Sequence, residues 1–78
     1  MYAETVICKL YEVRTDLGLT QQQVADGADM NVRTLINIEK GRSIPSLLYA
    51  MKLANFFNMP VDQLFVYKNS SHPSNKRF

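Results

Sequence analysis

Seventy-eight residues, with nine Lys and Arg against seven Asp and Glu, make one small domain of formal charge +2. At 46% hydrophobic and 21% charged, the composition is globular and excludes wholesale disorder. No apolar cluster approaches the ~20 residues of a membrane span, and the single cysteine, Cys8, excludes an internal disulfide.

The N-terminus, MYAETVICKLYEV, lacks a positively charged start and a small-residue cleavage site, so no secretory signal is expected. With one thiol, the expected compartment is the reducing cytoplasm. From Ala3 to Leu17 the apolar residues Val6, Leu10, Val13 and Leu17 recur at spacings of three and four, which predicts a first helix. Gly18 stands at its stop position. Thr20 caps a second, short helix, with Gln23 as the reciprocal partner of a capping box. Val24, Ala25 and Ala28 supply the buried side of that helix, and Gly27 weakens it by ~1 kcal/mol relative to alanine while leaving room for close packing.

Asp29-Met30-Asn31 is the next break, and Asn31 caps a third helix running through Lys40 to Gly41. This segment, MNVRTLINIEKG, carries one face too many. Leu35 and Ile38 face a core, yet Val32, Arg33, Ile36, Asn37 and Lys40 point elsewhere. Ile44-Pro45-Ser46 is a turn, and Ser46 caps a fourth helix, LLYAMKLANFF, apolar on most sides. Pro60 opens a last short helix, VDQLF. Five short helices and no strand interior predict an all-α domain, with room for a short strand at Val66 and Tyr67. The domain is read as 1–67. From Lys68 to residue 78 the sequence turns polar and reads as a flexible tail that holds three of the nine basic residues, Lys68, Lys76 and Arg77. There is no internal repeat.

The arrangement T-Q-x-x-V-A-x-x-A-D-x-N-x-x-T-L-x-x-I-E-x-G, from Thr20 to Gly41, resembles the helix-turn-helix of the phage repressor and Cro family. The resemblance runs from about residue 6 to 65, because RSIPSLLYAMKLANFFNMPVDQLF is similar to the fourth and fifth helices of the same family. It is nearest to the small stand-alone regulators of cytolysin-repressor type, and implies a five-helix repressor-like DNA-binding domain.

What the resemblance implies for single residues follows from the docking of such domains, whose third helix lies in the major groove. The positions facing base edges are Val32, Arg33, Ile36 and Asn37. A guanidinium at Arg33 can bond both guanine acceptors, and Asn37 can serve adenine in the same two-point manner, each worth about 1–3 kcal/mol of discrimination. Val32 and Ile36 would meet thymine methyls or, on the plainer reading, pack into the core. Gln21, Asn31, Thr34, Lys40 and Arg42 are expected against phosphates, where they position without reading sequence. Lys40 and Arg42 could equally offset the dipole at the end of the third helix. Arg14 and Glu39 are implied to face each other as an internal ion pair. Two departures stand out: Asp29 occupies a turn position where many relatives have glycine, and Leu48 stands where they often carry an acid.

One such helix covers too few base pairs to single out an operator among ~10⁶ competing sites, so a homodimer on a pseudo-palindromic double-stranded DNA operator is expected. Phe65, Val66 and Tyr67 are the expected interface, and the alternative is that they close the core over the fifth helix. The expected function is transcriptional regulation, with repression favoured. An antitoxin or adaptor whose domain mainly binds a protein partner is the rival. An enzyme is not expected: His72, the single histidine, lies in the tail, and no nucleophile-base pair, metal-ligand spacing or Gly-rich phosphate loop is present. No cofactor, metal or small-molecule ligand is called for.

Overall fold

Two strands and five helices follow one another in the order β1 (Glu4–Cys8), α1 (Leu10–Asp16), α2 (Gln21–Gly27), α3 (Val32–Glu39), α4 (Leu47–Phe57), α5 (Val61–Leu64) and β2 (Phe65–Asn69). The computed structural model describes residues 4–69. Of the expected tail, Lys68 and Asn69 fall inside that range and belong to β2, and the remainder lies outside the described residues.

The helices stand where their punctuation puts them, and the first segment is the correction. Instead of one helix from Ala3 to Leu17, the described chain starts as a strand, Glu4–Cys8, which pairs antiparallel with β2 from Glu4 opposite Asn69 to Cys8 opposite Phe65. Three consecutive β-branched residues, Thr5, Val6 and Ile7, suit a pleated half-buried surface better than a helix. Val6 and Cys8 are half-buried and Ile7 between them is exposed, the period of two that a strand requires. Val6 falls in step with Leu10 by coincidence of spacing. Leu17, at the other end of the supposed stripe, is 60% exposed and lies past the end of α1. The Lys9 N–H donates to the Leu64 carbonyl at 2.8 Å, tying the start of α1 to the end of α5.

Every helix places at least one fully buried side chain in a common core: Leu10, Val24, Leu35 with Ile38, Leu53 and Leu64. Each such side chain contributes about 1.5–3 kcal/mol relative to exposure. Caps fix the boundaries. Thr20 and Gln23 form the expected capping box, Asn31 accepts from the Arg33 N–H, and Ser46 accepts from the Tyr49 N–H.

The first four helices end alike. The residues at the turn, Gly18, Asp29, Gly41 and Asn58, have φ of 71°, 58°, 74° and 56°. At each end the next residue's N–H reaches back to the carbonyl five before it: Leu19 to Arg14, Met30 to Ala25, Arg42 to Asn37 and Met59 to Ala54, all within 2.9–3.0 Å. This is the Schellman closure, which satisfies carbonyls that the helix leaves open. Asp29 and Asn58 adopt the left-handed conformation where glycine would be least strained, as their short polar side chains permit. Gly27, inside α2, owes its place to packing, since a Cβ there would overlap the ring of Phe56 on α4. That ring in turn meets Phe57 edge to face, with centroids 4.9 Å apart.

Candidate nucleic-acid interface

The surface begins with the direction of α3. Leu35 and Ile38 are fully buried, which turns Arg33, Ile36 and Asn37 outward. Val32, Arg33, Ile36 and Asn37 line one open concavity together with Arg42. The four residues expected to face base edges thus share one surface. Arg33 is exposed, while Ile36 and Asn37 are half-buried. Val32 divides its side chain between this surface and the core, against which it packs.

Arg42 belongs to that concavity rather than to its far rim. The left-handed turn at Gly41 folds the chain back, and the Arg42 guanidinium comes to 3.5 Å from Asn37 Oδ1, a marginal hydrogen bond. Lys40, at the cap of α3, is exposed. Asn31 spends its side-chain carbonyl on the Arg33 N–H at 2.8 Å, which leaves its amide N–H groups for an outside acceptor. Thr34 is half-buried.

Arg14 and Glu39 meet as expected. Arg14 Nε donates to Glu39 Oε2 at 2.7 Å and a second guanidinium nitrogen donates to Oε1 at 3.1 Å, a two-point pair between α1 and the last residue of α3. The side chains are 10% and 4% exposed. The third nitrogen donates to the Leu19 carbonyl at 2.9 Å, so one guanidinium also fixes the loop entering α2. The Glu39 carboxylate, by hydrogen bonding, pushes the Arg14 guanidinium further up from its ordinary pKa, against the opposing effect of burial.

Gln21 is drawn into this cluster: its amide nitrogen donates to Glu39 Oε1 at 3.2 Å. Of the residues expected on phosphates it is the one whose side chain bonds to the Arg14–Glu39 pair. An amide carries two hydrogens, so one is left for an external oxygen. The motif had suggested neither this bond nor the ring of Tyr11, which lies 5.4 Å under the Arg14 guanidinium.

A third tie was also missed. Lys52 on α4 donates from Nζ to the Asp29 carbonyl at 2.9 Å and stands 3.6 Å from the Asp29 carboxylate. Spacing could not have revealed it, because it links a residue of α4 to the turn between α2 and α3. Phe65 requires a correction: at 9% exposed it belongs to the core, which leaves Val66 and Tyr67 of the expected contact residues nearer the surface. Among the described residues no group of three or more His, Cys, Asp or Glu is placed to hold a metal, and no helix is long and apolar enough to cross a membrane.

A family model described as Helix-turn-helix matches residues 10–64, from the first residue of α1 to the last of α5. The chain belongs to the helix-turn-helix family. An uncharacterized HTH-type transcriptional regulator of Methanocaldococcus jannaschii is 38% identical over 61 residues, 78% of this chain and 92% of its own length. The HTH-type regulator YgzD of Bacillus subtilis is 33% identical over 57 residues, 73% of this chain and 86% of its own. The cryptic phage CTXphi transcriptional repressor RstR of Vibrio cholerae is 34% identical over 56 residues, 72% of this chain but 50% of its own, the repressor being the longer protein. In helix-turn-helix terms α2 and α3 are the paired helices, Asp29 is the turn, and Arg14–Glu39 braces the pair against α1.

Proposed function

We propose that this helix-turn-helix chain is a sequence-specific double-stranded DNA-binding regulator, acting in the cytoplasm as a repressor. One observation carries the reading: Arg33, Ile36, Asn37 and Arg42 share a single open surface on the outward side of α3. Arg33 reads guanine through its two-point donor fork, and Asn37 reads a second base one turn later. Ile36 meets a thymine methyl, with Val32 a lesser contributor because part of its side chain is spent on the core. Asn31, Thr34, Lys40, Arg42 and the remaining amide hydrogen of Gln21 hold phosphates around that face. The relatives named as transcriptional regulators, one of them a phage repressor, support the same reading.

The working unit is a two-fold homodimer on a pseudo-palindrome, because one α3 spans too few bases to be selective in a genome. The contact uses Val66 and Tyr67, with exposed Ile7, which pairs with Val66 in the sheet, beside them.

Selection of duplexes from a random pool by the wild-type chain tests the reading. Enrichment of two inverted half-sites about one helical turn apart, bound with strong salt dependence, is the expected result. A pool that stays random, with binding insensitive to salt, overturns it. An adaptor or antitoxin is the second reading. It draws on the exposed apolar side chains Ile44, Leu47, Leu48 and Met51, which a protein partner could cover.

A further inference from the structure

The angle between α2 and α3 is set in a turn whose backbone would be easiest for glycine. Asp29 occupies it at φ 58°, and its N–H and that of Met30 close α2 onto the carbonyls of Asp26 and Ala25. The Asp29 carbonyl is taken by a residue from outside the paired helices. Lys52, half-buried on α4, donates to it at 2.9 Å, and the same ammonium stands 3.6 Å from the Asp29 carboxylate. Tyr49, one turn earlier on α4, holds its ring 5.7 Å from the ammonium, within cation–π range. The Asp29 carboxylate itself is 97% exposed, immediately before the residues that begin α3.

We propose that Lys52 is a positioning residue for the recognition surface, gripping the α2–α3 turn by its backbone and offsetting the charge that Asp29 presents beside α3. The inference rests on the DNA-binding reading above. The grip acts on a backbone atom, so it constrains the path of the chain into α3 and not merely the rotamer of Asp29. The charge matters separately. An exposed carboxylate beside phosphates is repulsive, and an ammonium within 4 Å largely cancels its field at a distance. Both effects pass through Asp29, and that separates a positioning residue from a lysine that touches phosphate directly.

A double-mutant cycle between Lys52→Met and Asp29→Gly provides the test, because residues that act through one another show non-additive effects. Glycine removes the carboxylate and adopts the left-handed turn without a brace. The probe is a duplex recovered from a random pool by the wild-type chain, with affinities measured well below each variant's melting temperature. Lys52→Met should weaken binding about tenfold in the wild-type background and little in the Asp29→Gly background. Equal loss in both backgrounds with the Met30 amide unchanged overturns the proposal, since it marks a phosphate contact independent of the turn; the Met30 readout is needed because the carbonyl that Lys52 grips is retained in Asp29→Gly. No loss in either overturns it as well.

Amide hydrogen exchange in the free protein gives a readout that needs no DNA. The Met30 amide should lose protection in Lys52→Met and keep it in Lys52→Arg, whereas unchanged protection in Lys52→Met removes the grip. If the wild-type chain selects no duplex while Met30 responds in this way, the DNA-binding reading fails and the grip on the turn stands.

Discussion

Arg14 and Glu39 are joined by two hydrogen bonds from one guanidinium, at 2.7 and 3.1 Å, in a site where both side chains are almost fully covered. The pair links Arg14 on α1 to the end of the helix that carries the candidate reading face. Breaking it from either side leaves a covered charge with no counter-charge. Arg14→Met should therefore cost about 3–5 kcal/mol, because Glu39 keeps only Gln21 and the Leu19 carbonyl loses its donor as well. Glu39→Gln retains an acceptor oxygen and should lose less, though still enough to lower the melting temperature measurably. A melt of Arg14→Met that coincides with the parent contradicts this account of how α1 and α3 are held.

At Gly27 two effects oppose each other and their magnitudes decide the sign. Helix propensity alone favours alanine by up to ~1 kcal/mol. The added methyl, however, would overlap the Phe56 ring, and forcing an extra carbon into a packed site typically costs about 1–3 kcal/mol. Gly27→Ala should be net destabilising in a thermal melt. In a Phe56→Ala background the clash is gone, and the same substitution should become neutral or stabilising.

Asn31 ends the turn and starts α3 by accepting the Arg33 N–H at 2.8 Å. Asn31→Ala should cost about 0.5–2 kcal/mol of stability, while Asn31→Ser should recover most of it. Circular dichroism melts of the two variants check the pair of outcomes.

Cys8 on β1 is half-buried, and burial pushes its thiol pKa up from the ordinary value. The reactive thiolate is thus scarcer in the folded protein than in the unfolded chain. Alkylation by iodoacetamide near pH 8 should be slow when folded and fast in urea. Because the folded state holds the proton more tightly, the thiol's contribution to stability is complete below its unfolded pKa and is lost as pH rises through the folded one. Equal alkylation rates in the two states would contradict the burial.

How much of this was legible in the sequence depended on whether the signal was local. Thr20, Gln23, Asn31, Ser46 and the glycines at 18 and 41 act within a few residues of themselves, and α2, α3 and α4 begin, and α1 and α3 end, where they direct. β1 was misread because its defining contact is with β2 at the opposite end of the domain, and Val6 happened to stand four residues before Leu10. For Phe65 the sequence leaves interface and core both open, and it packs in the core because of strand pairing that adjacent residues do not announce. Of the candidate surface, the face of α3 could be inferred from helical spacing and family likeness. Gln21 on Glu39 and Lys52 on the Asp29 carbonyl could not, since each joins groups distant in sequence that only the packed helices bring together.

For the oligomer, Tyr67 is 60% exposed and Val66 lies opposite Ile7 across the sheet. If this end carries the dimer, Tyr67→Asp should shift sedimentation at micromolar concentration from dimer to monomer and weaken binding to a two-half-site duplex more than to a single half-site. A wild-type chain that sediments as an 8.9 kDa monomer, free and on DNA, contradicts the dimer.

The central claim is that the outward face of α3 reads base sequence, and the most direct measurement compares Arg33→Ala with Lys40→Ala on a duplex selected by the wild-type chain and on all single-base variants of it. Arg33→Ala should lose about 1–3 kcal/mol on the selected duplex and lose its preference at one base pair per half-site, while Lys40→Ala should weaken binding to every variant alike. An Arg33→Ala protein that keeps the wild-type affinity and the same ranking of variants would contradict the claim.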